Sequence, residues 1–332
     1  NYTTQKCERQ FYIDWVRILL ILSVFLFHIG MIFNTWDWHI KNDRQFGGML
    51  EGIMAFLHYW RMPLLFLISG AGTYFALGKR SSAQYLGERF RRLFIPFMVG
   101  VFILVPVQVY IEKASSYSSL VDFYSHMFEG FYPEGNFSWH HLWFIVYLFV
   151  IALFISPFLG MLRSVRFKCF ISRMEGFITK PLALNILIVP LILSQVLLRP
   201  YFEVNTNDLI HDCASMAMYI IFFLSGFILL PNKKIAESIR QQRFLYLAET
   251  IIITVLMFLL PSRMGSAHLG DLIWDVSSVY IALTCGIAAL GFAKHHLNRD
   301  STFRILANEA IFPFYLLHQP VIVVVGYYVE GL

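Results

Sequence analysis

Charge is what this chain has least of. Of its 332 residues only 14% are Asp, Glu, Lys or Arg, while 58% are hydrophobic. Soluble domains carry about 25% charged residues. The mean hydropathy of +0.61 points the same way. These figures exclude a soluble domain with a large core and predict a polytopic membrane protein. Cysteine is scarce as well. Cys7, Cys169, Cys213 and Cys285 fit neither a metal spacing nor a disulfide framework. No HExxH, GxSxG or P-loop pattern occurs, and no His pair is spaced i, i+4, so no metal site is expected. No internal inverted repeat is visible, and that weakens a transporter reading.

What the chain does have is long apolar runs. A bilayer-crossing helix needs about 20 apolar residues. The expectation is all-α: a membrane helix bundle with spans near 11–33, 50–78, 93–112, 142–162, 182–199, 213–231, 244–261, 273–293 and 311–329. The N-terminus and segments 79–92, 163–181, 232–243 and 294–310 hold 19 Lys and Arg. The opposite set holds five: Lys41, Arg44, Lys113, Arg199 and Arg263. The membrane expected is the cytoplasmic (inner) one, and this bias predicts a multi-pass protein with a cytoplasmic N-terminus. It also turns the net charge of +5 and the pI near 9.0 into a topology signal, not a nucleic-acid footprint. The first span is too long and too charged for a cleavable signal peptide.

The run 11–33 carries Asp14, Arg17 and His28. Arg17 and His28 are eleven residues apart, about 20° from three full turns, so they share a face about 16 Å apart along the axis. Asp14 sits one turn below Arg17 and can pair with it. Ionisable groups at membrane depth cost about 2.5 kcal/mol or more and normally face an interior cavity. The bland alternative is a structural ion pair with a buried, hydrogen-bonded histidine. The functional reading is a polar track with a fixed cation toward one face and a proton acceptor toward the other.

Further candidates follow along the chain. Six of the seven tryptophans, Trp38 among them, fall in the outer half of this topology, where an interfacial belt would populate both faces. Trp38, His39 and His141 lie in or beside outer loops, and His58 and Arg61 lie in the second span. Arg61 has no acidic neighbour within two turns, since Glu51 is ten residues away, and Glu309 and Asp271 are partners only if the fold brings them close. Ser69, Gly70 and Gly72 allow close helix approach. Arg89 and Arg92, three apart at the start of the third span, could clamp a phosphate or merely mark topology. The last span carries His318 with Pro313 and Pro320, two prolines that imply a broken or kinked helix.

Arg17–x10–His28, Ser69–Gly70 and Arg89–x2–Arg92 before Ile95–Pro96 resemble, in order and topology, the acyltransferase 3 family of integral membrane proteins. Segments such as FLHYWRM and FPFYLLHQP resemble its glucan-succinylating branch. The resemblance covers essentially the whole chain as one domain, 1–332. It implies ten helices, so a tenth is expected beyond the nine. It also implies acyl transfer from cytoplasmic acyl-CoA, a co-substrate and not a permanently bound cofactor, to a periplasmic or cell-surface carbohydrate. By that resemblance His28 is the essential histidine and Arg17 the basic residue of the same motif; His28 is read as the general base, and Asp14, which pairs with Arg17 but is too far from His28 to orient it, is the third catalytic candidate. Arg89 and Arg92, with Ser69, fall on the donor side. Arg61, His58, Trp38, His39, His141 and His318 are left for the acceptor or acyl group, with succinyl ahead of acetyl. The rival readings are a transporter or proton/anion relay through Arg17, His28, Arg61 and His318, and an acyl-accepting partner or sensor without turnover.

Overall fold

The computed structural model describes residues 10–202, 206–259 and 267–330. Cys7, the basic residues before Gln10 and Arg263 lie outside them. The described residues are helices and connecting loops, with one isolated bridge between Phe131 and Phe137.

Eleven helical stretches carry the fold. They are α1 Phe11–Phe33, α2 Met49–Ala76, α3 Ser82–Glu112, α4 His140–Leu162, α5 Val165–Ile178, α6 Ala183–Tyr201, α7 Cys213–Leu229, α8 Lys233–Gln241, α9 Arg243–Leu259, α10 Ala267–His296 and α11 Thr302–Glu330. Among the described residues seven helices are long and apolar enough to cross a membrane, or eight if α7 and α8, bent by 109° at their junction, make one broken span. Each of the nine expected segments is helical over most of its described residues. α7 has 17 residues, and the described part of α9 ends at Leu259, with 260–261 of the expected span outside the described residues. Apolar side chains are exposed on the helix faces, as on α1 (Leu19, Leu22, Leu26) and α9 (Ile251, Ile252, Val255). In water such a band would be an aggregation surface, but against hydrocarbon it is solvated.

The basic segments are not plain loops. Much of 79–92 is helix, continuous with α3, and 163–181 and 232–243 contain the amphipathic helices α5 and α8. Contacts gather these segments at one end of the bundle. Arg163 donates to the Arg80 carbonyl at 3.1 Å, Lys234 pairs with Glu175 at 2.7 Å, and Trp15 donates to the Arg299 carbonyl at 3.3 Å.

Close packing explains Gly70 of α2. A Cβ on Gly70 would lie 1.9 Å from the Phe223 carbonyl oxygen, and one on Gly226 would lie 1.7 Å from that of Leu67. Only hydrogen fits at either place, so α2 and α7 touch backbone to backbone, the usual means of helix association in lipid. The helix α1 lies between α2 and α11. Prolines shape α3 and α11 differently. In α3, Pro96 and Pro106 follow π-helical turns at Phe90–Phe94 and Gly100–Leu104. A proline removes the N–H that the carbonyl four residues earlier would accept, and the chain widens locally instead of breaking. The Phe102 carbonyl freed by Pro106 accepts from Tyr124 Oη at 3.0 Å. Of the broken or kinked last helix expected from Pro313 and Pro320, the break is not found: α11 runs unbroken through both. The Leu316 carbonyl that Pro320 leaves free has another partner, described next.

Candidate active site

The antiparallel pairing of α1 with α2 sets two levels. At the lower, Arg17 Nη2 lies 3.4 Å from where a Cβ on Gly72 would be. At the upper, the Arg61 guanidinium stacks on the Phe27 ring, 4.0 Å from its centre. Glycine at 72 therefore leaves room for Arg17, and Arg61 arrives at the depth of His28.

At the lower level the Asp14–Arg17 pair forms at 3.6 Å, yet Arg304 is the nearer partner of Asp14, at 2.5 Å. Arg304 is 1% exposed and also holds Asp300 at 2.7 Å. Arg17 donates to Asn308 Oδ1 at 3.1 Å. This network ties α1 to α11. Arg89 reaches the same level, donating to Thr73 Oγ1 at 3.4 Å and lying over the Tyr85 ring. Arg92 is 74% exposed and pairs with Glu88 at 3.2 Å. The two arginines do not form one fork here. The widened turn at Phe90–Phe94 has more residues per turn than an α-turn, so residues three apart fall further from a shared face. Ser69 donates to the Leu65 carbonyl of its own helix at 2.7 Å.

At the upper level the histidines converge. His28 Nδ1 is 2.9 Å from His318 Nε2, and His318 Nδ1 is 2.6 Å from the Tyr315 carbonyl. A carbonyl only accepts, so His318 carries its proton on Nδ1 and presents a lone pair at Nε2. His28 then donates from Nδ1, and its own Nε2 is left as a lone pair. His141 Nε2 lies 3.1 Å from the Leu316 carbonyl freed by Pro320, and Tyr315 Oη donates back to the His141 carbonyl. The start of α4 is thus fastened to α11 from both sides.

A cavity of about 120 Å³ lies among these groups, lined by His28, Arg61, His141, Tyr219 and Tyr315, with the exposed His58 also on its wall. Trp38 stacks on His28 at 6.1 Å. Beside it, His39 Nδ1 binds the Glu112 carboxylate and its Nε2 is 3.2 Å from Gln319 Nε2. Tyr132 donates to the same carboxylate at 3.1 Å, and burial together with Glu112 raises its phenol.

Arg61 is 4% exposed, and its Nε and Nη1 are buried without hydrogen-bond partners. Among the described residues no carboxylate pairs with it; Glu309 and Asp271 do not. His141 Nδ1 and His140 Nε2 are likewise buried and unpartnered. The described residues hold no cluster of metal-ligating side chains.

The sequence reading missed Arg304, Glu112, Tyr219 and the role of Tyr315. Pro320, four residues after Leu316, was the one available sign that a carbonyl there needs an outside donor.

The sequence matches the acyltransferase domain family, acyltransferase 3, over residues 10–332. It is similar to proteins called glucans biosynthesis protein C from Salmonella paratyphi B, Salmonella enteritidis and Salmonella heidelberg. Each is 23% identical over 348 positions, covering 97% of this chain and 84% of the relative. No solved structure matches significantly.

Proposed function

The chain belongs to the acyltransferase 3 family and is a multi-pass membrane acyltransferase related to glucans biosynthesis protein C; from that premise we propose that it moves an acyl group, succinyl ahead of acetyl, from cytoplasmic acyl-CoA to a hydroxyl of an extracytoplasmic glycan. The basic end of the bundle faces the cytoplasm of the inner membrane, in line with the positive-inside rule. The observation that carries the reading is the tautomer chain from the Tyr315 carbonyl through His318 to His28, which leaves His28 Nε2 as a lone pair beside the cavity.

The reaction balances on that atom. The glycan hydroxyl oxygen attacks the thioester carbonyl while His28 Nε2 takes the hydroxyl proton. The C–O bond forms, the C–S bond breaks, and the thiolate of CoA recovers the proton from His28. General-base catalysis of this kind contributes about 10²–10⁴-fold. Arg89 binds phosphate groups of CoA as a charge-assisted donor, and Arg17 steadies the arm that runs toward His28. Arg61, a buried guanidinium that pairs with no carboxylate among the described residues, receives the free carboxylate of a dicarboxylic acyl group. Family membership argues against the transporter reading.

The test is thiol release from acyl-CoA by the purified protein with and without added glycan. Glycan-dependent release in wild type that falls at least about 100-fold in His28→Ala supports the base role. Activity of that variant within about tenfold of wild type contradicts it.

A further inference from the structure

His141 is 5% exposed and lines the cavity that His28 also lines. Its ring centre is 5.2 Å from that of His318, which in turn is 5.0 Å from that of His28. Its Nε2 is committed to the Leu316 carbonyl at 3.1 Å, so that nitrogen carries the proton and Nδ1 is an acceptor. That acceptor is buried and has no partner among the described residues. A buried acceptor left unmade costs about 1–3 kcal/mol, so a group that donates to it is strongly selected over one that cannot. The ring cannot turn away to find another partner, because Tyr315 Oη holds the backbone at His141 and the Leu316 carbonyl holds its far nitrogen.

Both histidines line the chamber, and the bonds they make leave one imidazole lone pair on each, at His28 Nε2 and at His141 Nδ1. His28 deals with the hydroxyl that reacts. We propose that His141 accepts a hydrogen bond from a second hydroxyl of the same acceptor, so that the substrate class is a vicinal or near-vicinal diol, such as a sugar ring presents, and not an isolated alcohol. This rests on the hydroxyl-acceptor reading given above and adds what the site demands of the rest of the acceptor.

Two substitutions separate recognition from structure. His141→Gln places an amide N–H near the position of Nε2, keeps the bond to the Leu316 carbonyl and removes the acceptor at Nδ1. His141→Asn does the reverse. The probes are trans-1,2-cyclohexanediol and cyclohexanol, each with an acyl-CoA that wild type turns over. Wild type should acylate the diol with a kcat/KM about 5- to 150-fold higher, the range a lost buried hydrogen bond implies. In His141→Gln that preference should collapse toward the statistical ratio of the two hydroxyl counts. In His141→Asn it should survive while thermal stability falls. Equal acylation of both alcohols by wild type, or a preference that persists in His141→Gln, overturns the assignment. Thioester consumption by wild type with neither alcohol acylated overturns the hydroxyl-acceptor reading itself.

Discussion

Arg61 offers the sharpest perturbation. The residue is 4% exposed, its guanidinium is stacked 4.0 Å from the Phe27 ring centre, and its Nε and Nη1 have no partner among the described residues. Arg61→Gln keeps a polar side chain of lesser reach and removes the charge and the fork. A hydrogen bond to a charged group contributes about 1.5–3 kcal/mol net, and each 1.4 kcal/mol is tenfold. The kcat/KM for succinyl-CoA should therefore fall about 10- to 150-fold. Acetyl-CoA has no distal carboxylate, so its kcat/KM should change far less. The assay is competition between the two donors at fixed acceptor, with the acylated products resolved by mass. A second consequence follows from burial. An uncompensated buried charge is destabilising, so Arg61→Met should raise the melting temperature of the ligand-free protein while lowering succinyl transfer. Two results would refute the reasoning: a wild type that prefers acetyl-CoA, and an Arg61→Gln in which both donors fall alike. The latter would move Arg61 to the thioester carbonyl common to both.

Other expectations test separate parts of the account. His318→Leu should lower kcat by about 10²-fold or more with little change in donor KM, because His28 loses the acceptor that holds its tautomer; His318→Gln, whose amide oxygen can accept, should restore part of it. Arg89→Ala should weaken CoA binding more at low salt than at high, as measured by isothermal titration, and Arg92→Ala should matter less because that side chain is 74% exposed and already paired with Glu88. Gly226→Ala should destabilise the bundle by at least about 1–3 kcal/mol, seen as a lower melting temperature in detergent, since its Cβ would meet the Leu67 carbonyl at 1.7 Å.

The sequence made the first helix legible because charges in an apolar run are costly and must face something. Asp14, Arg17 and His28 each do find polar partners. Helical spans were legible from apolar length, and Gly70 of α2 from its size. What stayed hidden depends on pairings across the whole chain. Asp14 meets Arg304 and His28 meets His318, each 290 residues away, and no local pattern encodes such a meeting. The offset of Arg89 from Arg92 was hidden for a different reason. Spacing assumes an α-turn, and the π-turn before Pro96 violates that assumption. The unbroken α11 shows the reverse case: its prolines suggested a break or a kink, and there is no break, since a neighbouring histidine takes up the carbonyl that Pro320 frees.

The central claim is that this protein acylates a glycan through His28. It is tested most directly by mass spectrometry of envelope glycans from cells lacking the gene, complemented either with wild type or with His28→Ala at equal membrane abundance. The account predicts glycans bearing one or more succinyl groups with wild type and unmodified glycans with the variant. Identical glycan masses in the two strains would contradict it.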